Sequence, residues 1–165
     1  MYTLEPAGME DLELCGQIIA EGRQFQREQG FVQWTEDYPN LDSVRRDIQS
    51  GAGYVFKVEG ETAGYVSVDF SGEPAYDQID GAWGADRPYA VIHRMAFRSK
   101  FQGAGLAGTA FAQIERLCLD KNVPYVRVNT DFPNQRMQHV LEKNHYVKRG
   151  VILFNGEKLA YDKLL

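Results

Sequence analysis

The sequence predicts an α/β (α+β) fold in which a mixed sheet carries helices on both faces. Three observations lead there. Strand and helix periodicities alternate through all 165 residues. A meander and a closing hairpin require antiparallel pairs, and a βαβα stretch between them requires a parallel one. No internal repeat, low-complexity tract or Pro/Ser-rich linker divides the chain, so residues 1–165 read as one domain with room for a sizeable core.

Taken in order, "YTLEP" is a short strand closed by Pro6. From Met9 to about Gln29, Leu12, Cys15, Ile18 and Ile19 recur at helical spacing. "LDSVRRDIQSG" is a short helix stopped by Gly51. "GYVFKVEGETAGYVSVDF" is a hairpin, two runs rich in Val, Tyr and Phe around a Gly-containing turn. Residues 71–88 are too polar and too rich in Gly and Pro for a core element, and an insertion of that length in a compact domain points to function. "YAVIHRMAF" is the next strand. Alternation along it puts His93, Met95 and Phe97 on one face and Ile92, Arg94 and Ala96 on the other. A helix over 106–120 follows, its apolar face built from Leu106, Ala110, Phe111, Ile114, Leu117 and Cys118. "PYVRVNT" is a strand, 133–144 a helix on Met137, Val140 and Leu141, and the end is two strands joined by Asn155-Gly156, a strong hairpin signal.

Composition narrows the function classes. Hydrophobic residues at 44% and charged residues at 25% are ordinary globular values. A formal net charge of -5 argues against nucleic acid or an anionic membrane as partner and is compatible with a cationic substrate. Cys15 and Cys118 lie in apolar helical patterns without a CxxC partner, as core thiols of a reducing compartment do. No signal peptide precedes "MYTLEP", and no apolar run approaches the roughly 18 residues of a spanning helix, so a cytoplasmic protein is expected.

The most informative stretch is "FRSKFQGAGLAGTAF", which packs Gly103, Gly105 and Gly108 around a helix start. Glycines crowd a helix start where an anion approaches the backbone. Gly103-x-Gly105-x-x-Gly108 matches the dinucleotide fingerprint, with Asp131 near the expected ribose acid. In that fingerprint, however, the glycine ends its strand directly, whereas "RSKFQ" intervenes here and a meander leads in. A nucleotide P-loop fails because the lysine before Thr109 is missing. Gln102-Gly103-Ala104-Gly105-Leu106-Ala107 instead has the form [Q/R]-x-x-G-x-[G/A]. Small residues there let backbone N–H groups point inward, and the helix start adds roughly half a positive charge, enough to hold a pyrophosphate without a metal or a lysine.

"VIHRMAFRSKFQGAGLAG" followed by "VPYVRVNTDFPNQRMQHVLEKNHY" resembles the GNAT superfamily of acetyl-CoA-dependent N-acetyltransferases. The second segment is similar to that family's N-x-x-[A/M]-x-x-[L/V]-[Y/L]-x-K-x-[G/H]-[F/Y] helix, with Asn134, Val140, Lys143 and Tyr146 in register. The resemblance extends over essentially the whole chain. It implies a mostly antiparallel sheet of about six to seven strands with about four helices, splayed between the fourth and fifth strands. It also implies that acetyl-CoA is the co-substrate, that Gln102, Gly103, Ala104, Gly105, Leu106 and Ala107 hold its pyrophosphate, that Met95, Ala96 and Phe97 meet the pantetheine arm through their backbone, and that Asn129 and Asn134 contact the cofactor. For Asn134 an ordinary helix N-cap is the competing reading.

Such enzymes transfer the acetyl group directly to an amine, which must first shed a proton held with a pKa of about 10.4. By alignment with the family's strand, His93 is the candidate base, and an imidazole suits the task. The tyrosine that in many members protonates the departing thiolate is here Leu141, which leaves Tyr146, water or unaided departure. For the acceptor pocket the candidates are Trp34, Tyr38, Glu73, Tyr76 and Asp77, acids and aromatics that suit an ammonium group. Asp80 and Asp86 extend the acidic loop, and Trp83 is placed to close over a ligand. The expected partner is a small-molecule or peptidyl amine; a homodimer is an expectation by analogy alone. Two other functions remain open on the residues: a non-catalytic acyl-CoA-binding module, which Leu141 permits, and a nicotinamide-dependent oxidoreductase reading the GxGxxG.

Overall fold

Strand β1 (Tyr2–Pro6) opens the computed structural model, which describes residues 1–165. A 3-10 turn at Met9–Asp11 leads into α1 (Leu12–Glu28), so the first helix begins slightly later than its periodicity implies. Next comes α2 (Leu41–Ser50), bracketed by local chemistry. The Asn40 side chain accepts from the Ser43 N–H at 3.1 Å while the Asn40 N–H donates to Ser43 Oγ at 3.1 Å, a reciprocal cap, and Gly51 ends the helix in the left-handed region.

The hairpin β2 (Gly53–Val58) and β3 (Glu61–Asp69) follows, then the two-residue β4 (Asp80–Gly81) and β5 (Ala90–Phe97). The remaining elements are α3 (Leu106–Asp120), β6 (Tyr125–Asp131), α4 (Gln135–Lys143), β7 (Val147–Leu153) and β8 (Glu157–Leu164). The strands form one eight-stranded sheet ordered β1-β2-β3-β5-β6-β8-β7-β4. No helix is long and apolar enough to cross a membrane.

The eighth strand is the one that strand periodicity did not reveal, because two residues carry no period. Asp80 and Gly81 pair with Val151 and Gly150 of β7. The two backbones approach so closely that a Cβ on Gly81 would sit 2.2 Å from the Arg149 carbonyl oxygen, and one on Gly150 would sit 2.2 Å from that of Asp80. Glycine at both positions is what allows the pairing. The parallel pair deduced from the βαβα stretch is β5 with β6. Its register runs Ala90↔Val126, Val91↔Arg127, Ile92↔Val128, whereas β5 continues to Phe97 and β6 to Asp131.

The chain divides into two compact units, Met1–Val68 with Arg94–Gln113, and Asp69–His93 with Ile114–Leu165. In the first, Cys15, Ile18 and Ile19 of α1 pack with Val44, Val55, Tyr65 and Ala96, and a second cluster gathers Phe56, Ala63 and Ala110 with Met95, Phe97 and Leu106. In the second, Tyr76, Val91, Ile152 and Ala160 form the core, with Trp83, Tyr89 and Phe154 packed against it. Cys15 and Cys118 are fully buried free thiols, and burial pushes each up to about 12, so both are packing groups rather than nucleophiles.

Candidate active site

In the first unit the glycine stretch folds into a tight turn. Lys100 sits in a 3-10 turn at Ser99–Phe101, after which Gly103 (φ +76) and Gly105 (φ +74) both lie in the left-handed region that favours glycine. A Cβ built on either would meet nothing within 4 Å, so these glycines answer to backbone geometry and leave open space in front of it. The Gln102 side chain turns away from that space: its amide donates to the carbonyls of Phe97 at 3.1 Å and Glu21 at 3.3 Å. Glu21 in turn accepts from the Ser99 N–H at 2.8 Å and its Oγ at 2.6 Å. The turn is thus anchored by these side-chain bonds, and the first N–H groups of α3 have no intrahelical partner. Lys100 and Arg98 both pair with Glu61, so the anion-attracting elements are main-chain amides and the helix dipole. These residues fit a diphosphate.

Just before this turn, Arg94 has φ +53, outside the β region. The alternation expected to carry His93, Met95 and Phe97 on one face therefore does not run unbroken through position 94. Arg94 makes a bidentate pair with Asp47 of α2 (2.6 and 2.8 Å) and donates to Tyr38 Oη at 2.7 Å; Asp47 also accepts from Tyr65 Oη at 2.6 Å. Burial opposes the Arg94 charge, but the Asp47 carboxylate prevails and holds the guanidinium protonated above its ordinary range. Tyr38 and Trp34, expected at the acceptor, are built into this unit's packing, with Trp34 against the Cys15–Tyr65 cluster. Sequence reading missed this network, although an arginine inside "VIHRMAF" demands a buried partner.

In the second unit His93 and Glu73 come together. His93 Nε2 lies 3.6 Å from Glu73 Oε2, an ion-pair distance longer than a tight hydrogen bond, and the two side chains are only 9% and 19% exposed. The imidazole stacks on Phe154 at 5.4 Å between ring centres, 24° from parallel. Glu73 is fastened by accepting from the Ala75 N–H at 3.2 Å, while its own N–H donates to Tyr89 Oη at 3.2 Å. The His93 imidazole beside it holds the Glu73 carboxyl below the usual carboxylate range. Glu73 therefore faces the candidate base.

The rest of the long loop is more ordered than its composition implies. Tyr76, expected at the substrate pocket, is a core side chain with no exposed surface, and its hydroxyl accepts from Asn129 Nδ2 at 2.9 Å. That bond occupies the Asn129 amide expected to touch cofactor. Trp83, expected to close over a ligand, is pinned instead: its Nε1 donates to the Tyr76 carbonyl at 2.8 Å, and the Arg127 guanidinium lies 4.3 Å from its ring and 4.1 Å from that of Tyr89. Asp77, Asp80 and Asp86 are solvent-exposed.

Two further residues have structural partners. Asn134 caps α4, accepting from the Met137 N–H at 3.1 Å. Tyr146 donates to Glu115 Oε2 at 2.9 Å, and Lys163 holds the other oxygen of that carboxylate at 2.8 Å. Burial, with Glu115 adding to it, pushes the Tyr146 hydroxyl well above its ordinary range, which binds the proton that an acid role would release. Leu141 is fully buried.

Residues 19–146 match the acetyltransferase (GNAT) family, a span that includes both glycine-turn and His93 regions. A GNAT-family acetyltransferase from Streptococcus agalactiae 2603 is 32% identical, with 99% of this chain and 95% of that chain aligned at a TM-score of 0.91. An aminoglycoside acetyltransferase in complex with coenzyme A shares the fold at 17% identity (TM-score 0.72, 99% and 95% covered). So does a ribosomal L7/L12 alpha-N-protein acetyltransferase in complex with coenzyme A, at 16% identity (TM-score 0.68, 99% and 94% covered). No curated protein matches the chain. The matched span and the 32% identity over nearly the full length make this chain a member of the GNAT acetyltransferase family.

Proposed function

We propose that the protein moves an acetyl group from acetyl-CoA to a primary amine of a small molecule or peptide, by direct attack while both substrates are bound. The observation that carries this reading is the pair of left-handed glycines, 103 and 105, opening α3 onto free space in a chain of this family. Backbone amides of Gln102–Ala107 bind the diphosphate, and the main chain of Met95, Ala96 and Phe97 supports the pantetheine arm. The amine nitrogen bonds to the thioester carbonyl carbon, the C–S bond breaks, and the electron pair leaves with sulfur. The ammonium proton goes to His93. With Tyr146 engaged by Glu115 and Leu141 in the family's tyrosine position, the thiolate leaves toward water, which a thiol of ordinary pKa near 8.5 tolerates.

His93→Ala tests the base. Its kcat on the best amine of a panel, followed by thiol release, is expected to fall about 100-fold near neutral pH while acetyl-CoA affinity stays within about twofold. An unchanged rate and pH profile contradicts the assignment. Leu141 favours a second reading, a module that binds acyl-CoA without turnover; tight binding with no thiol release on any amine would establish it.

A further inference from the structure

His93 and Glu73 come from different segments, yet each is fastened toward the other. The imidazole lies against Phe154, and the carboxylate is held by the Ala75 N–H, so neither side chain reaches the other by chance of a loose rotamer. The groups facing the ring are the Glu73 carboxylate from the long loop and the apolar Phe154 face; Asp69 acts one step removed, through Glu73. A carboxylate facing one ring nitrogen favours the tautomer that carries its proton there, and at 3.6 Å the two groups need only close slightly to bond. Here the nitrogen is Nε2.

We propose that Glu73 is the positioning residue of His93: it holds the neutral ring as the Nε2–H tautomer, so that the amine proton is accepted at Nδ1, and its charge then steadies the imidazolium. This rests on His93 acting as the base. Glu73 thereby moves from the acceptor pocket, where its acidity alone had placed it, to the catalytic machinery behind the base. The carboxylate lies 3.6 Å from Nε2, so replacing it by an amide removes the attraction that steadies the imidazolium.

The test is Glu73→Gln in the full chain, read by the pH profile of kcat/KM and by 15N spectra of the imidazoles, with His93→Gln assigning the His93 signal against His139 and His145. The acid limb of kcat/KM is expected to move to lower pH, because the amide removes the negative charge 3.6 Å from Nε2. kcat should fall roughly tenfold, with the KM for acetyl-CoA unchanged. The His93 signal should titrate in step with that limb, and in the parent should report Nε2–H. Glu73→Asp should recover part of the shift. A parent ring that is Nδ1–H, or a His93 signal unmoved by Glu73→Gln, overturns the inference. A signal that moves while the rate limb stays overturns the base assignment on which the inference rests, and leaves the carboxylate–imidazole pairing standing.

Discussion

Gly105→Val is expected to weaken acetyl-CoA binding about 100-fold while the protein remains folded. Gly105 has φ +74, where an L side chain costs roughly 1–2 kcal/mol and a β-branched one more. Because its Cβ would meet nothing within 4 Å, the strain is not compounded by a clash. For a chain of this size a loss of about 2 kcal/mol lowers Tm by roughly 4–8 °C. The larger consequence falls on the ligand: the new side chain fills the space the turn leaves open and tilts the amides that follow it. Losing about two charge-assisted hydrogen bonds costs roughly 3 kcal/mol, or two decades of affinity. Calorimetric titration of the variant alongside its melting curve checks both numbers. Parental affinity in a folded variant would mean that the diphosphate does not sit at this turn.

The largest effect on stability belongs to Arg94. Its pairing with Asp47 joins β5 to α2 across a sequence separation of 47 residues, and the side chains are 14% and 9% exposed. Arg94→Met keeps the length of the side chain and leaves the Asp47 carboxylate buried, still bonded to Tyr65 but without a counter-charge. Stranding a buried charge costs about 3–5 kcal/mol, and at roughly 2–4 °C per kcal/mol this lowers Tm by about 10 °C. The unusual φ of +53 is shared by parent and variant, so it cancels. Adding Asp47→Leu should return part of the loss, since an apolar pair of similar volume removes the stranded charge. Urea unfolding of both singles and the double measures the coupling; simple additivity would show that the two residues act independently.

What the sequence revealed and what it hid follow from the range of the interactions. Helices α2 and α3 were legible because their signals are local: Gly51 stops α2, and Gly103 and Gly105 turn the chain within a few residues of where their effect is felt. The parallel β5–β6 pair followed from the helical pattern that separates the two strands. The contacts that organise the candidate site are not local. Glu73 looked like one acid among several in a polar loop, and nothing in "SGEPAYDQID" distinguishes the carboxylate that meets His93 from the exposed Asp77 and Asp80. Trp83 looked mobile for the same reason, because the guanidinium that pins it comes from Arg127 in a distant strand. A physical signal was nonetheless present. Arg94, Arg127 and Asp162 are buried or half-buried charges within strands, and each takes a polar partner: Asp47 for Arg94, the Ala85 carbonyl for Arg127, and Arg149 for Asp162.

The central claim is that main-chain amides at the start of α3 grip the diphosphate of acetyl-CoA. The most direct measurement is a calorimetric titration of the parent protein with acetyl-CoA and, separately, with S-acetylpantetheine, which has the same thioester arm and no diphosphate. Binding of acetyl-CoA at least about 100-fold tighter is the expected result. Equal affinity for the two compounds would contradict it.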